Sequence, residues 1–239
     1  MQAVERIFSI LQLLDDVEQP MGLIEIRRQL GYPESSTAAI LSALATAGYL
    51  RHDRSTRTYA PTIRLAHLAG WVTSRAAPVP AIDRAMSEIR ERTGETVGLG
   101  YRNDIRMQYL RFIDGKHPPT HGVKEGTTRL LCRSGLGWAL MSFLSKRAIE
   151  SIVRRTNASV AAEDMIDVES INLVVEKCRR DGYVLAQHTV RLGFGVIAAP
   201  LYSQQEHYAV GVHAPVGVLA EREIEMSGIL RDVLTRLVI

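Results

Sequence analysis

Cysteine is nearly missing: Cys132 and Cys178 are the only two in 239 residues. Two isolated thiols give neither a zinc-ribbon spacing nor a disulfide framework, so a reducing cytoplasm is the expected setting. No apolar run approaches the roughly 18 residues that a membrane span needs, so no membrane partner is expected. The start, MQAVERIFSILQLLDD, places Glu5 and Arg6 inside an amphipathic pattern. It lacks the basic opening, apolar stretch and small-residue cleavage site of a signal peptide. Of the seven histidines His117 and His121 are four apart, but they flank Pro118-Pro119 in an expected loop, so none makes a helical i, i+4 pair and no metal is expected. There is no G-x-S-x-G, no P-loop and no dinucleotide fingerprint after a strand, so no cofactor is expected either. A large excess of one charge is also missing. The formal net charge is +3, and the first 60 residues hold six Arg against seven Asp plus Glu. A nucleic-acid partner would therefore be met by local clusters, since the domain as a whole is not basic.

What is present is a succession of short periodic segments. Val4, Ile7, Phe8, Leu11 and Leu14 set out a first helix over about residues 3–16. LIEIRRQL reads as a second helix stopped by Gly31. In GYPESSTAAILSALATAGYL, Ser35 is the expected N-cap of a third helix, and Ile40, Leu41 and Leu44 its buried face. The opposite face, with Ser35, Ala39, Ser42 and Thr46, is small and neutral. YLRHDRSTRTYAPT then reads as a strand, a charged turn and a return strand. Three helices and a hairpin in 60 residues make a winged helix-turn-helix. A linker helix over residues 62–77 follows, broken by APVP.

Beyond the break the chain is mixed. AIDRAMSEIRERTG is helical; TVGLGY and IRMQYLRFI are strands. A helix opens near Ser134, two more follow, and Gly182 closes the second of them. YVLAQHTV, FGVIAAPLYS and HYAVGVHAPV read as strands and AEREIEMSGILRDVLTRLVI as a terminal helix. The fold class is α+β. The expected domains are 1–60 for the winged helix-turn-helix, 61–80 for the linker helix and Pro-rich hinge, and 81–239 for a mixed α/β domain.

Three constellations bear on chemistry. Ser35, Ser36 and Thr37 at the third helix's start can donate to phosphate oxygens, with Ala39 and Ser42 on the same face. Arg51, Arg54 and Arg57 in the wing can meet a neighbouring phosphate or the minor groove. In RSGLGWAL, Gly135 and Gly137 open a helix. They either let a ligand approach backbone N–H groups or merely allow tight packing under Trp138. Cys132 beside Arg133 admits an activated thiolate, but no base is identifiable and a semi-buried structural cysteine is the plainer reading.

The order of these parts resembles the IclR family of transcriptional regulators over nearly the whole chain. AVERIFSILQLLDD looks like the family's first helix, and YPESSTAAILSALATAGYL with the wing and YAPTIRLAHLAG like its helix-turn-helix and linker. GETVGLG, SGLGWALM, RRDGYVLAQHTVRLGFGVIAAPLYS and AVGVHAP look like landmarks of its effector domain. The resemblance implies a GAF-like effector domain that takes a small organic acid, often aromatic. It also implies a homodimer that commonly pairs into tetramers, and binding to double-stranded operator DNA. Carried over by position, the effector pocket comprises Ser134, Gly135, Leu136, Ala186, Thr189, Val196, Gly211 and His213. Departures are clear: Ala39 replaces a usual Arg, Ala186 and Thr189 an acidic or polar pair, and Gly211 and His213 positions that are often Ser. The resulting expectation is a ligand carboxylate on the Gly135 N–H groups, an apolar or aromatic body, and contact with His213. Two rival readings are a small-acid-processing enzyme using Cys132 or His213, and a sensor acting through protein partners, its first domain serving dimerisation.

Overall fold

The computed structural model describes residues 2–68, 80–116 and 124–237. It divides into two compact units, Met1–Ala77 and Pro78–Ile239. Among the described residues no helix is long and apolar enough to cross a membrane.

The first unit contains helices α1 (Gln2–Val17), α2 (Leu23–Leu30) and α3 (Glu34–Thr46), with strands β1 (Met21–Gly22), β2 (Leu50–Asp53) and β3 (Thr58–Pro61). The strands order β1-β3-β2, all antiparallel. Gly31 closes α2 in the left-handed region at φ 68°, where a side chain would be strained. Ile10, Leu14, Met21, Ile26, Leu41 and Leu50 form the core. The α1 face differs from the expected one. Leu14 is sealed as expected, but Val4 and Phe8 stand 57% and 66% exposed, and Ile10, outside the expected set, is fully buried. Apolar residues wrap more than half of α1, so periodicity alone fitted two faces. Strand β1 is too short to show any period in the sequence.

Two expectations on α3 are corrected. Ser35 is not the N-cap: extended Pro33 holds that place, and Glu34 already begins the helix. Thr37, expected to donate to a phosphate, does not present its hydroxyl to one. It is fully buried, and its hydroxyl donates to the Pro33 carbonyl at 2.9 Å. The turn between β2 and β3 is closed by Asp53, whose carboxylate accepts from Ser55 N at 2.8 Å and Ser55 Oγ at 2.6 Å. The Ser55 hydroxyl and N–H hold this carboxyl below its ordinary pKa. Helix α4 covers residues 63–68 as far as it is described. The remainder of the expected linker and the APVP hinge lie outside the described residues, as do His117 and His121.

The second unit is one six-stranded antiparallel sheet with helices on both faces. Its elements are α5 (Pro80–Thr93), β4 (Thr96–Asn103), β5 (Arg106–Ile113), β6 (Thr128–Leu130), α6 (Gly135–Met141), α7 (Lys146–Asn157), α8 (Val168–Asp181), β7 (Val184–Gln187), β8 (Phe194–Ser203), β9 (Glu206–Pro215) and α9 (Val216–Thr235). The sheet order is β6-β5-β4-β9-β8-β7. Strict alternation along β4 sends Val97 and Leu99 to one face, where they meet Met86 and Ile89 of α5 and Met226 and Leu230 of α9. The other face is built from Met107, Tyr109, Val196, Ala198 and Ala209, and α6, α7 and α8 cover it. On that second face β4 and β9 present Gly98, Gly100 and Gly211. Leu136 of α6 descends there: a Cβ on Gly100 or Gly211 would lie 2.9 or 2.8 Å from its methyl carbons.

Candidate effector cleft and candidate DNA-facing surface

Where α6 begins, the second face of the sheet is left partly uncovered. Ser134 caps α6, its Oγ accepting from Gly137 N at 3.4 Å. The first i→i−4 bond of the helix runs from Trp138 N to Ser134 O, so the N–H groups of Gly135 and Leu136 precede the ladder. Beside them opens a cleft with an empty volume of about 580 Å³, its open mouth included. Ser134 and Gly135 line it from α6, Val196 from β8, His213 from β9 and Thr189 from the loop between β7 and β8.

Three expected lining residues are corrected to packing roles. Leu136 is fully buried over Gly100 and Gly211. Gly211 provides the space that Leu136 and Val196 fill, since a Cβ there would come within 2.8 and 2.6 Å of them. Ala186 is 1% exposed and sits under Gly135, where an added Cβ would approach it to 2.7 Å. The two glycines of SGLG therefore have packing reasons of their own. At Gly137 a Cβ would meet the Leu131 carbonyl oxygen at 2.2 Å.

Five further residues line the cleft that the sequence reading did not name: Tyr109, Val190, Arg191, Phe194 and Gly195. Tyr109 comes from β5, far from the rest in sequence, and only sheet pairing brings it near. Arg191 and Phe194 lay within the quoted RLGFG stretch, where an arginine between glycine-marked turns was the available signal. The Arg191 guanidinium lies 4.9 Å above the Phe194 ring.

His213 packs against Tyr109 and Phe112, with ring centroids 5.8 and 5.9 Å away. Gly98 makes room for it: a Cβ there would lie 2.9 Å from both Nε2 and the Phe112 edge. The residue keeps some exposure at the cleft, but its Nε2 has none and lacks a hydrogen-bond partner. Burial pushes the imidazole pKa down to about 4, so it is uncharged at neutral pH. Burial likewise pushes the Tyr109 hydroxyl up to about 12, against the pull of Arg129. The folded state thus binds fewer protons at His213 than the unfolded chain does. Stability of this unit should fall as pH drops from about 6.5, the ordinary imidazole value, towards about 4. The loss attributable to this group is about 3 kcal/mol. Thermal melts across that window, with His213→Gln alongside, check it: the variant should show a shallower fall, and equal falls would contradict it.

Cys132 lies outside this cleft. It is buried, its sulfur is 3.8 Å from the Thr156 hydroxyl, and desolvation raises its pKa. That environment makes an inert thiol.

In the first unit, Ser35, Ala39 and Ser42 are exposed on one side of α3, together with Ala43 and Thr46. Ser36 is half-buried. Its hydroxyl donates to the Pro33 carbonyl at 3.0 Å and accepts from Arg6 at 3.1 Å, which leaves it no proton for a phosphate. Arg51, Arg54 and Arg57 are exposed along the wing. His52 and Tyr59, paired across β2 and β3, stack with ring centroids 4.3 Å apart.

Comparison with known proteins agrees with both units. The IclR helix-turn-helix domain matches residues 3–54, and the bacterial transcriptional regulator IclR C-terminal domain matches residues 72–236. The regulator KdgR of Escherichia coli K12 is 22% identical over 203 residues, spanning 84% of this chain and 77% of its own. The repressor AllR of the same strain is 22% identical over 235 residues, spanning 97% and 87%. Among solved structures, IclR of Thermotoga maritima superposes with a TM-score of 0.72 at 17% identity, covering 99% of this chain and 97% of that one. An IclR effector domain from Acinetobacter sp. ADP1 is 27% identical, with a TM-score of 0.60 over 71% of this chain and 97% of that one. The chain belongs to the IclR family of bacterial transcriptional regulators.

Proposed function

We propose that the chain binds operator DNA through α3 and the wing, and that a small organic acid in the cleft controls that binding. The observation that carries the DNA half is the bare face of α3. Ser35, Ala39 and Ser42 stand exposed with no long side chain among them, next to three exposed arginines on the wing. Such a face fits closely against a major-groove floor, where apolar contact with thymine methyls replaces long polar readers. The arginines and the free N–H groups at the start of α3 meet the phosphates. More of the specificity then comes from DNA shape than is usual. A homodimer would place two such heads on half-sites about one helical turn, roughly 34 Å, apart.

The acid half rests on a cleft with apolar walls, one arginine and one unpaired imidazole. It is supported by an IclR homologue from Microbacterium hydrocarbonoxydans complexed with 4-hydroxybenzoate, which has the same fold at 17% identity and a TM-score of 0.67. Occupation of the cleft would shift the linker over residues 62–77 and so the separation of the heads. The enzyme reading falls on the family and on the buried, protonated thiol of Cys132.

A gel shift against the DNA upstream of the protein's own gene tests the reading. Preference for that DNA over unrelated sequence is expected, and affinity should fall with a log–log salt slope of about −0.9 per phosphate contacted. Arg54→Gln with Arg57→Gln should flatten the slope by about 2 units. Absence of preference at any salt would overturn the reading.

A further inference from the structure

Among the residues lining the effector cleft, one carries a charge at neutral pH: Arg191. It sits on the loop joining β7 to β8, and that loop is pinned at its base. His188 N donates to Phe194 O at 2.9 Å, Gly193 N donates to His188 Nδ1 at 3.0 Å, and Val216 N donates to Gly193 O at 2.9 Å. His188 and Gly193 take positive φ values, 59° and 82°, to make the bend. The pinned backbone keeps Arg191 at the mouth. Its guanidinium, exposed and stacked on Phe194, is free to share that stack with a carboxylate. His213 stands deeper, against Tyr109 and Phe112. Its Nε2 packs towards Gly98 and Phe112 without a hydrogen-bond partner, so pairing it with an incoming group takes a turn of the ring out of that packing.

The two ends of the cleft therefore ask for different chemistry. We propose that the effector lies with its acid outward: one carboxylate on Arg191 at the mouth, an apolar or aromatic body between Phe194, Val196 and Tyr109, and one uncharged hydrogen-bonding group, a hydroxyl or carbonyl, at His213. This rests on the reading of the cleft as the effector site and narrows the ligand class to singly charged hydroxy or oxo acids. It reverses the orientation expected from the α6 N–H groups, because the one charged side chain of the lining, Arg191, stands at the mouth. A second carboxylate at the inner end would be stripped of water with no cation to meet it, so dicarboxylates are excluded. An acid without the inner polar group would fit but leave the imidazole unpaired.

Three probes of one shape separate these cases: benzoate, 4-hydroxybenzoate and terephthalate, titrated calorimetrically into the full-length protein at neutral pH. The expected order is 4-hydroxybenzoate about tenfold tighter than benzoate, and terephthalate undetected. Arg191→Gln should weaken both monoacids about tenfold or more. His213→Phe should bring 4-hydroxybenzoate to the level of benzoate without weakening benzoate, and His213→Gln should restore part of the difference. If the monoacids bind but Arg191→Gln binds them as well as wild type, or terephthalate binds as well as 4-hydroxybenzoate, the orientation is wrong while the cleft remains an acid site. If none of the three binds wild type, the acid reading of the cleft falls and the orientation with it.

Discussion

Gly137→Ala should lower the melting temperature of the effector unit by about 10 °C or more, with loss of its near-ultraviolet circular dichroism. The new methyl would stand 2.2 Å from the Leu131 carbonyl oxygen, 2.7 Å from its Cα and 2.8 Å from its carbonyl carbon. All three are backbone atoms, so no rotamer change relieves the overlap. The short helical turn Leu131–Arg133 would have to move away from α6. That movement breaks the bond from Trp138 Nε1 to Cys132 O, now 2.8 Å, and lifts Leu131 and Leu136 from the core. Overpacking alone costs about 1–3 kcal/mol, and a forced backbone shift adds to it. For a unit of this size each kcal/mol is about 2–4 °C. Gly228→Ala is the matched control. It lies inside α9 with nothing within 4 Å of an added Cβ, so it should be neutral or slightly stabilising.

Leu41→Ala should abolish most operator binding at 37 °C while leaving acid binding intact. Leu41 is fully buried at the centre of the first unit, packed with Ile10, Leu14, Met21, Ile26 and Leu50. Removing its branched end costs about 2–5 kcal/mol in a well-packed site. A unit this small buries a modest share of its surface and has little stability to lose. The same side chain fixes α3 against α2 and the wing, so DNA affinity should fall at least about tenfold through loss of the folded head. The cleft residues belong to the other unit, and their ligand affinity should match wild type. Fluorescence anisotropy on DNA and calorimetry on the ligand, with one preparation, check both halves.

Much of this architecture can be read from residue patterns, and the failures have physical causes. Gly31, Gly94 and Gly182 end helices at φ 68°, 76° and 78°, where only glycine is unstrained, so those boundaries are legible. Alternation in TVGLGY gives the two faces of β4 directly. Strands β1 and β6, two and three residues long, are too brief to show a period. A hydroxyl near a helix start suits both a phosphate donor and a buried bond, and only the structure gives the Thr37 hydroxyl to the Pro33 carbonyl. SGLG was ambiguous because glycine serves close ligand approach and close packing equally, and only the distances to Leu131 and Val196 separate them. The cleft was half-visible: His213 and Thr189 followed from position in the family pattern, while Tyr109 and Arg191 required the sheet register and the bend of one loop.

The central claim is that cleft and DNA-facing helix are coupled through one chain. It is tested most directly by measuring operator affinity with and without saturating amounts of an acid already shown to fill the cleft. The account predicts a change of about 5- to 150-fold, in either direction, equivalent to roughly 1–3 kcal/mol of coupling. It also predicts the same factor when acid affinity is measured with and without operator. An operator affinity unmoved by a filled cleft would contradict it.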